Sequence, residues 1–238
     1  MVYDLPRHLE RLFLPPSCLL CDAAGEETLD LCADCLDDLP WIGRACVRCG
    51  RPLPDDVPAD SLCGPCTREP PPFDRVVTPW RYEGALAELV HRLKFQRHLA
   101  VGRTLGRLLA EQVAARDLPL PRLILPVPLH SHRLRERGFN HAAELAYAVS
   151  KTLDLPWSTR LLRKRRATPN QHELDRKARL RNLRGAFHYL GSAEYHHVAV
   201  VDDVLTTGAT AAEVTRTLKA AGVRKVEIWA LARTVERR

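Results

Sequence analysis

The chain has 238 residues, 45% of them hydrophobic, and a formal net charge of +7. That length suits one ordinary domain plus a small module, and the hydrophobic share supplies a real core. No run approaches the roughly 20 apolar residues of a membrane span. The stretch MVYDLPRHLERLFLPPSC has neither a long apolar core nor a small-residue cleavage site, so it reads against a secretory signal and a cytoplasmic location is expected.

In chain order, Leu5, Leu9, Leu12 and Phe13 predict a short amphipathic helix over residues 1–15 that docks on the body. All eight cysteines follow, each in a C-x-x-C pair: Cys18/Cys21, Cys32/Cys35, Cys46/Cys49 and Cys63/Cys66. Two residues between thiols let one tight knuckle grip a metal ion, and two knuckles complete a tetrahedron. Disulfides need an oxidising compartment that this chain shows no route to. A redox pair accounts for one C-x-x-C, not four, and regular paired knuckles favour zinc over an iron–sulfur cluster. A double zinc ribbon is therefore expected over residues 16–69. Its ligand sets are either sequential (Cys18, Cys21, Cys32, Cys35, then Cys46, Cys49, Cys63, Cys66) or cross-braced. Four-thiolate sites leave no open coordination position, so the metal is structural.

Charge is sorted along the chain. Residues 1–72 carry 6 basic and 13 acidic side chains, net −7, and the remainder carries 30 and 16, net +14. The second part is the anion-binding half. A stiff boundary at Glu69-Pro70-Pro71-Pro72-Phe73 introduces it, and a second domain is expected over 73–238. Arg75–Tyr82 reads as a strand. Helical patterns run from Gly84 through Leu86, Leu89, Val90 and Leu93, and again through Val101, Leu105, Leu108, Leu109 and Val113. Lys94, near the end of the first, is by itself an ordinary surface lysine. Leu123–Leu125 is a buried strand. Phe139–Leu153, with Ala142, Leu145, Ala146 and Val149 on one face, is a helix. Residues 198–201 form a strand, 210–221 a helix with Gly222 as C-cap, and 226–232 the last strand. Alternating strands and helices imply an α/β fold with a mostly parallel sheet, whose ligands bind at the carboxyl ends of the strands.

Three segments carry chemistry. Val198–Thr210, VAVVDDVLTTGAT, ends a strand in two carboxylates and turns through small hydroxyl residues into a helix. Loop amides, threonine hydroxyls and the helix dipole receive a phosphate there, and Asp202 and Asp203 can hold ribose hydroxyls directly or through a divalent cation. This stretch resembles the signature of type I phosphoribosyltransferases, which bind phosphoribosyl pyrophosphate (PRPP). Residues 126–140 add Arg133, Arg135 and Arg137 between a strand and a helix. They read as a second anion cradle suited to pyrophosphate, or as a solvated basic loop. Residues 160–184 hold 10 basic and 2 acidic side chains. They read as a basic hood over a polyanion, as a nucleic-acid surface, or as a solvated charged face.

Taken together, these segments resemble the ComF family, competence-associated, GntX-like proteins. The carrying motifs are the paired knuckles, W-R-Y-E-G at 80–84, L-K-F at 93–95, V-P-L-H and R-G-F-N within 127–140, T-P-N-Q at 168–171, R-x-x-N at 179–182 and VVDDVLTTGAT. The resemblance implies a type I phosphoribosyltransferase-like fold behind a zinc-ribbon module, with two structural Zn²⁺ and with Mg²⁺ arriving beside PRPP. It implies Asp202 and Asp203 as the catalytic pair on the ribose, and Thr206, Thr207, Gly208, Ala209 and Thr210 on the 5-phosphate. Arg133, Arg137 and Lys94 are then assigned to pyrophosphate, and Arg163, Arg176 and Arg179 to the hood. One departure is His141, where relatives commonly have Gln. Implied partners are PRPP, single-stranded DNA and the helicase or other proteins of DNA uptake. Two functions compete: a PRPP-using transferase of unknown acceptor in competence or nucleotide metabolism, and a non-catalytic PRPP sensor that binds single-stranded DNA. A plain base-salvage enzyme fits less well, because such enzymes rarely carry a double zinc module.

Overall fold

The computed structural model describes residues 16–26, 28–96, 98–166, 183–192 and 194–235. The expected helix over 1–15, T-P-N-Q, R-x-x-N, Arg176 and Arg179 lie outside the described residues. In chain order the elements are α1 (Ala33–Asp37), α2 (Gly64–Arg68), β1 (Arg75–Val77), β2 (Trp80–Arg81), α3 (Gly84–Phe95), α4 (Leu99–Ala114), β3 (Leu123–Pro126), α5 (Ser131–Arg137), α6 (His141–Leu153), β4 (Leu162–Lys164), β5 (Phe187–Tyr189), β6 (His197–Leu205), α7 (Ala209–Ala220) and β7 (Lys225–Arg233). The central sheet is parallel, in the order β1-β7-β6-β3 with β2 also on β7. Among the described residues, no helix is long and apolar enough to cross a membrane.

The two-residue period of a strand decides what each face buries. Val198 and Val200 of β6 join Leu123, Leu125, Val226 and Ile228 in packing with Val214 and Leu218 of α7 and with Leu162, Phe187 and Tyr189 of the antiparallel β4–β5 pair. Ala199 and Val201 join Ile124, Trp229 and Leu231 on the opposite face. They pack with Leu86, Leu89 and Leu93 of α3, Leu105 and Leu109 of α4, and Leu145 and Val149 of α6. Each fully buried leucine or valine contributes about 1.5–3 kcal/mol. Helices α4 and α6 touch at Gly106, where a Cβ would stand only 2.6 Å from the Cβ of Ala148. Glu227, fully buried on β7, is satisfied by Arg116, His197 and the Trp229 indole, each at 3.0 Å.

The cysteine-rich segment is not a separate bead. Cys18, Leu29, Leu31 and Leu39 belong to the same apolar cluster as α3 and α4. The segment also covers the β1–β2 edge of the sheet. Val76 donates its amide to the carbonyl of Val47, Ile42 to that of Pro79, and Arg81 to that of Pro40. At the β3 edge Ile124 donates to Pro156 and accepts from Ser158.

Several expectations need correction. The strand read over 75–82 is two strands, because Pro79 has no amide to give the ladder and its segment breaks off at Thr78-Pro79. The basic stretch after β3 is helical, α5, begun where the His130 ring accepts from the His132 amide and ended by Gly138 at φ 76°. β6 continues through both aspartates to Leu205, and α7 starts at Ala209 rather than Thr210. The start of the basic run is a strand, β4, which pairs antiparallel with β5.

Candidate functional site

The site forms at the carboxyl ends of β3 and β6. Strand β6 carries Asp202 and Asp203 there, half-buried and buried respectively. Asp203 Oδ1 accepts from the Val204 amide at 2.8 Å, and Asp202 Oδ1 from the Asp203 amide at 2.9 Å, so both carboxylates are oriented by their own strand. Asp203 Oδ2 is ion-paired with the Lys94 ammonium, which the end of α3 delivers on the same face of the sheet. His141, the first residue of α6 and 6% exposed, places Nε2 at 3.5 Å from the same oxygen. Asn140 fixes that helix start, its Oδ1 accepting from the Ala142 amide and its Nδ2 donating to the carbonyl of Val127, both at 3.1 Å. Arg137 approaches His141 Nδ1 at 3.4 Å. A guanidinium only donates, so the ring proton lies on Nε2 and faces Asp203.

Electrostatics run through the whole group. Burial, with Lys94 and Arg137 nearby, pushes His141 down to about 3, so its ring is neutral. Loss of water lowers Lys94 to about 8, Asp202 opposing and Arg137 adding to the effect. Lys164 on β4 is also lowered to about 8 by burial and by Arg133, again against Asp202. Arg137 lies below its ordinary value through burial and Arg133. Burial lifts Asp202 out of the usual carboxylate range although Lys94 and Lys164 pull it down. Lys94, Lys164 and Arg137 thus share the neighbourhood of two carboxylates, with Arg133 adding its charge beside Arg137 and Lys164.

Beyond Leu205 the chain forms Thr206, exposed, then Thr207 and Gly208, half-buried. Gly208 caps α7 at φ 77°, a left-handed conformation costing a side-chain-bearing residue about 1–2 kcal/mol. Space is not its reason for being glycine, since the nearest side-chain atom to a Cβ would be Phe73 Cζ at 3.8 Å. Thr207 Oγ1 accepts from the Ala209 amide at 3.3 Å. Ala209 is buried and Thr210 half-buried at the start of the helix. The opposite flank of the loop borders a cleft of about 640 Å³ whose other walls include Pro70, Pro71, Arg233, Cys49 and Cys63.

Lys94, Arg133, Arg137, Asp202 and Asp203 therefore gather in one place, with Thr206–Thr210 following directly on the strand. Arg163 is exposed, with its Nε on the carbonyl of Arg160 at 3.3 Å. Strand alternation turns its neighbour Lys164 toward Asp202 instead. Sequence reading missed the placement of both His141 and Lys164. His141 could have been found from its position at the first turn of the helix that follows R-G-F-N. Lys164 had no signal within its basic run.

The cysteines form two groups, Cys18/Cys21/Cys32/Cys35 and Cys46/Cys49/Cys63/Cys66, which is the sequential arrangement. Within them Cys21 and Cys32 lie 3.6 Å apart, as do Cys49 and Cys63. A tetrahedron with Zn–S bonds of about 2.3 Å has edges of about 3.8 Å, so the thiols fit Zn²⁺. The Cys49 thiol, donating to Cys46, holds Cys46 down to about 4 while Cys49 itself is pushed up. A metal ion would release those shared protons. A third group, His141, Asp202 and Asp203, has its ligand atoms within 4.8 Å of one another. Its carboxylate oxygens suit a hard divalent cation such as Mg²⁺.

Residues 9–67 match the double zinc ribbon domain and residues 139–238 the phosphoribosyl transferase domain. The chain thus falls in the class that joins two zinc ribbons to a phosphoribosyltransferase fold. The DNA utilization protein YhgH of Salmonella typhi is 36% identical over 229 residues, covering 94% of this chain and 100% of the relative. Competence protein F of Haemophilus influenzae is 36% identical over 215 residues, covering 85% and 90%. The chain belongs to their family, the ComF family. Among solved structures, the purine phosphoribosyltransferase from Pyrococcus horikoshii Ot3 aligns with a TM-score of 0.35 at 17% identity over 67% of this chain and 86% of that one, a likeness too distant to bear on the site.

Proposed function

We propose that this chain binds PRPP together with a divalent cation and acts in the utilisation or uptake of DNA. The observation that carries the reading is the surplus of positive charge about the aspartate pair. Lys94, Lys164 and Arg137 are drawn together with Arg133 although burial and neighbouring positive charge lower the proton affinity of the first three. A polyanion relieves that repulsion, and a sugar carrying a phosphate at one end and a pyrophosphate at the other matches the two cradles. In this arrangement Asp202 and Asp203 hold the ribose hydroxyls and the Mg²⁺. The loop Thr206–Thr210 takes the 5-phosphate at the head of α7, while Arg133, Arg137 and Lys94 face the pyrophosphate. Mg²⁺ would supply charge neutralisation for a departing pyrophosphate. The neutral His141 ring, 3.5 Å from Asp203, packs beside that carboxylate and helps to hold it in place.

As an enzyme the chain would transfer the phosphoribosyl group to an acceptor. Titration calorimetry with PRPP and Mg²⁺ is expected to give binding that the Asp202→Asn, Asp203→Asn double variant loses, and pyrophosphate release with a panel of bases reads out transfer. Absence of heat in the wild type overturns the PRPP reading. The second reading, a non-catalytic PRPP sensor that binds single-stranded DNA, is favoured by the basic run at 160–184 and by the relatives named for DNA utilisation and competence. It is supported if PRPP binds, no acceptor is used, and DNA affinity falls steeply with salt.

A further inference from the structure

Three consecutive residues at the end of α3 have three different fates. Leu93 is fully buried, Lys94 turns in to Asp203, and Phe95 is 60% exposed. A single exposed phenyl ring means little alone. This one is held in a particular setting. The Arg137 guanidinium lies 5.2 Å from the ring centroid, and the His91 ring lies 4.7 Å away at a tilt of 39°. Helix α5, which carries Arg137, also carries Arg133, Arg135 and His132 against one acid, Glu136. The surface therefore combines an aromatic face, fixed by its neighbours, with phosphate-seeking forks one helix away.

We infer that Phe95 is a stacking platform for a base of single-stranded DNA crossing the mouth of the site, and that strand and PRPP compete for Arg137. The inference rests on the DNA reading above. Stacking needs an unpaired base, whose face a duplex hides, and Arg133 and Arg135 supply the backbone contacts that a strand requires and an apolar partner does not. Competition follows from geometry. The same guanidinium stands over Phe95 and contacts His141, whose other nitrogen faces Asp203. A pyrophosphate that draws Arg137 inward removes it from the platform, and by linkage a bound strand must weaken PRPP by the same factor.

The test uses the full zinc-loaded chain and fluorescein-labelled dT20, read by fluorescence anisotropy, with PRPP–Mg²⁺ binding read by calorimetry. Phe95→Ala is expected to weaken dT20 roughly tenfold or more, Phe95→Trp to retain it, and neither to weaken PRPP binding or lower the melting temperature. Annealing the oligonucleotide to its complement should abolish the difference between wild type and Phe95→Ala. PRPP–Mg²⁺ should raise the dissociation constant for dT20, and Arg137→Gln should weaken both ligands. If wild type binds dT20 and Phe95→Ala binds it equally well, the platform is overturned while the DNA reading stands. If PRPP binds without changing dT20 affinity, the competition is overturned. If wild type fails to bind dT20 even at low salt, the DNA reading and the inference fall together.

Discussion

An ammonium stripped of water gives up its proton early, and Lys94 and Lys164 are both in that position. Their native values near 8, against 10.5 for an ordinary lysine, set the sign of a pH effect. Below about pH 8 both are charged and support an anion. As pH rises through 8 the charge is lost, well before a solvated lysine would lose it. PRPP affinity is therefore expected to fall between pH 7.5 and 9, with net proton uptake on binding near pH 8 when calorimetry is repeated in buffers of different ionisation enthalpy. A flat profile to pH 9 would show that neither lysine serves the ligand. At this scale the aspartate pair and the threonine-glycine turn were legible because their meaning is local: adjacent residues, one strand end, one turn. His141 and Lys164 were not, because neither is next to its partner in sequence. What joins them to the diad is depth and direction, the first turn of α6 in one case and the parity of β4 in the other.

Among the elements, the α4–α6 contact has the least room to vary. It positions His141 and Asn140, since both belong to the start of α6. Replacing Gly106 with leucine would drive a side chain into Ala148 and the Leu145 carbonyl, which stand 2.6 and 3.1 Å from where its Cβ must go. A loss of about 1–3 kcal/mol is expected from overpacking alone, measurable by urea unfolding. PRPP affinity should drop with it as the His141 end of α6 is displaced. The helices of the core were legible from their 3.6-residue pattern, and so was the parallel sheet. Helix α5 was not, because arginines spaced for solvent carry no apolar stripe and only its caps mark it. The β4–β5 pair escaped for a related reason, both strands being three residues long and far apart in sequence.

For the molecule as a whole, the sorting of charge was readable from composition and the pairing of the knuckles was not. Spacing allowed sequential or crossed ligand sets, and only the folded path decides between them. Because Cys18, Leu29, Leu31 and Leu39 share a core with α3 and α4, zinc is expected to stabilise more than its own ribbons. A strong chelator should lower the melting temperature of the entire chain by about 10 °C or more, in one transition, each kcal/mol being worth about 2–4 °C at this size. Two separate transitions would mean the ribbons unfold alone. The carbonyls of Val47 and Pro40, meanwhile, occupy hydrogen-bonding positions along the outermost strands. Cutting the chain at the triple proline would leave β1 and β2 with unsatisfied amides beside Val76, Val77 and Trp80. Such a fragment should not behave as a smaller, better-mannered version of the second domain. It should seek another copy of itself to complete the ladder, giving concentration-dependent light scattering where the intact protein stays monodisperse.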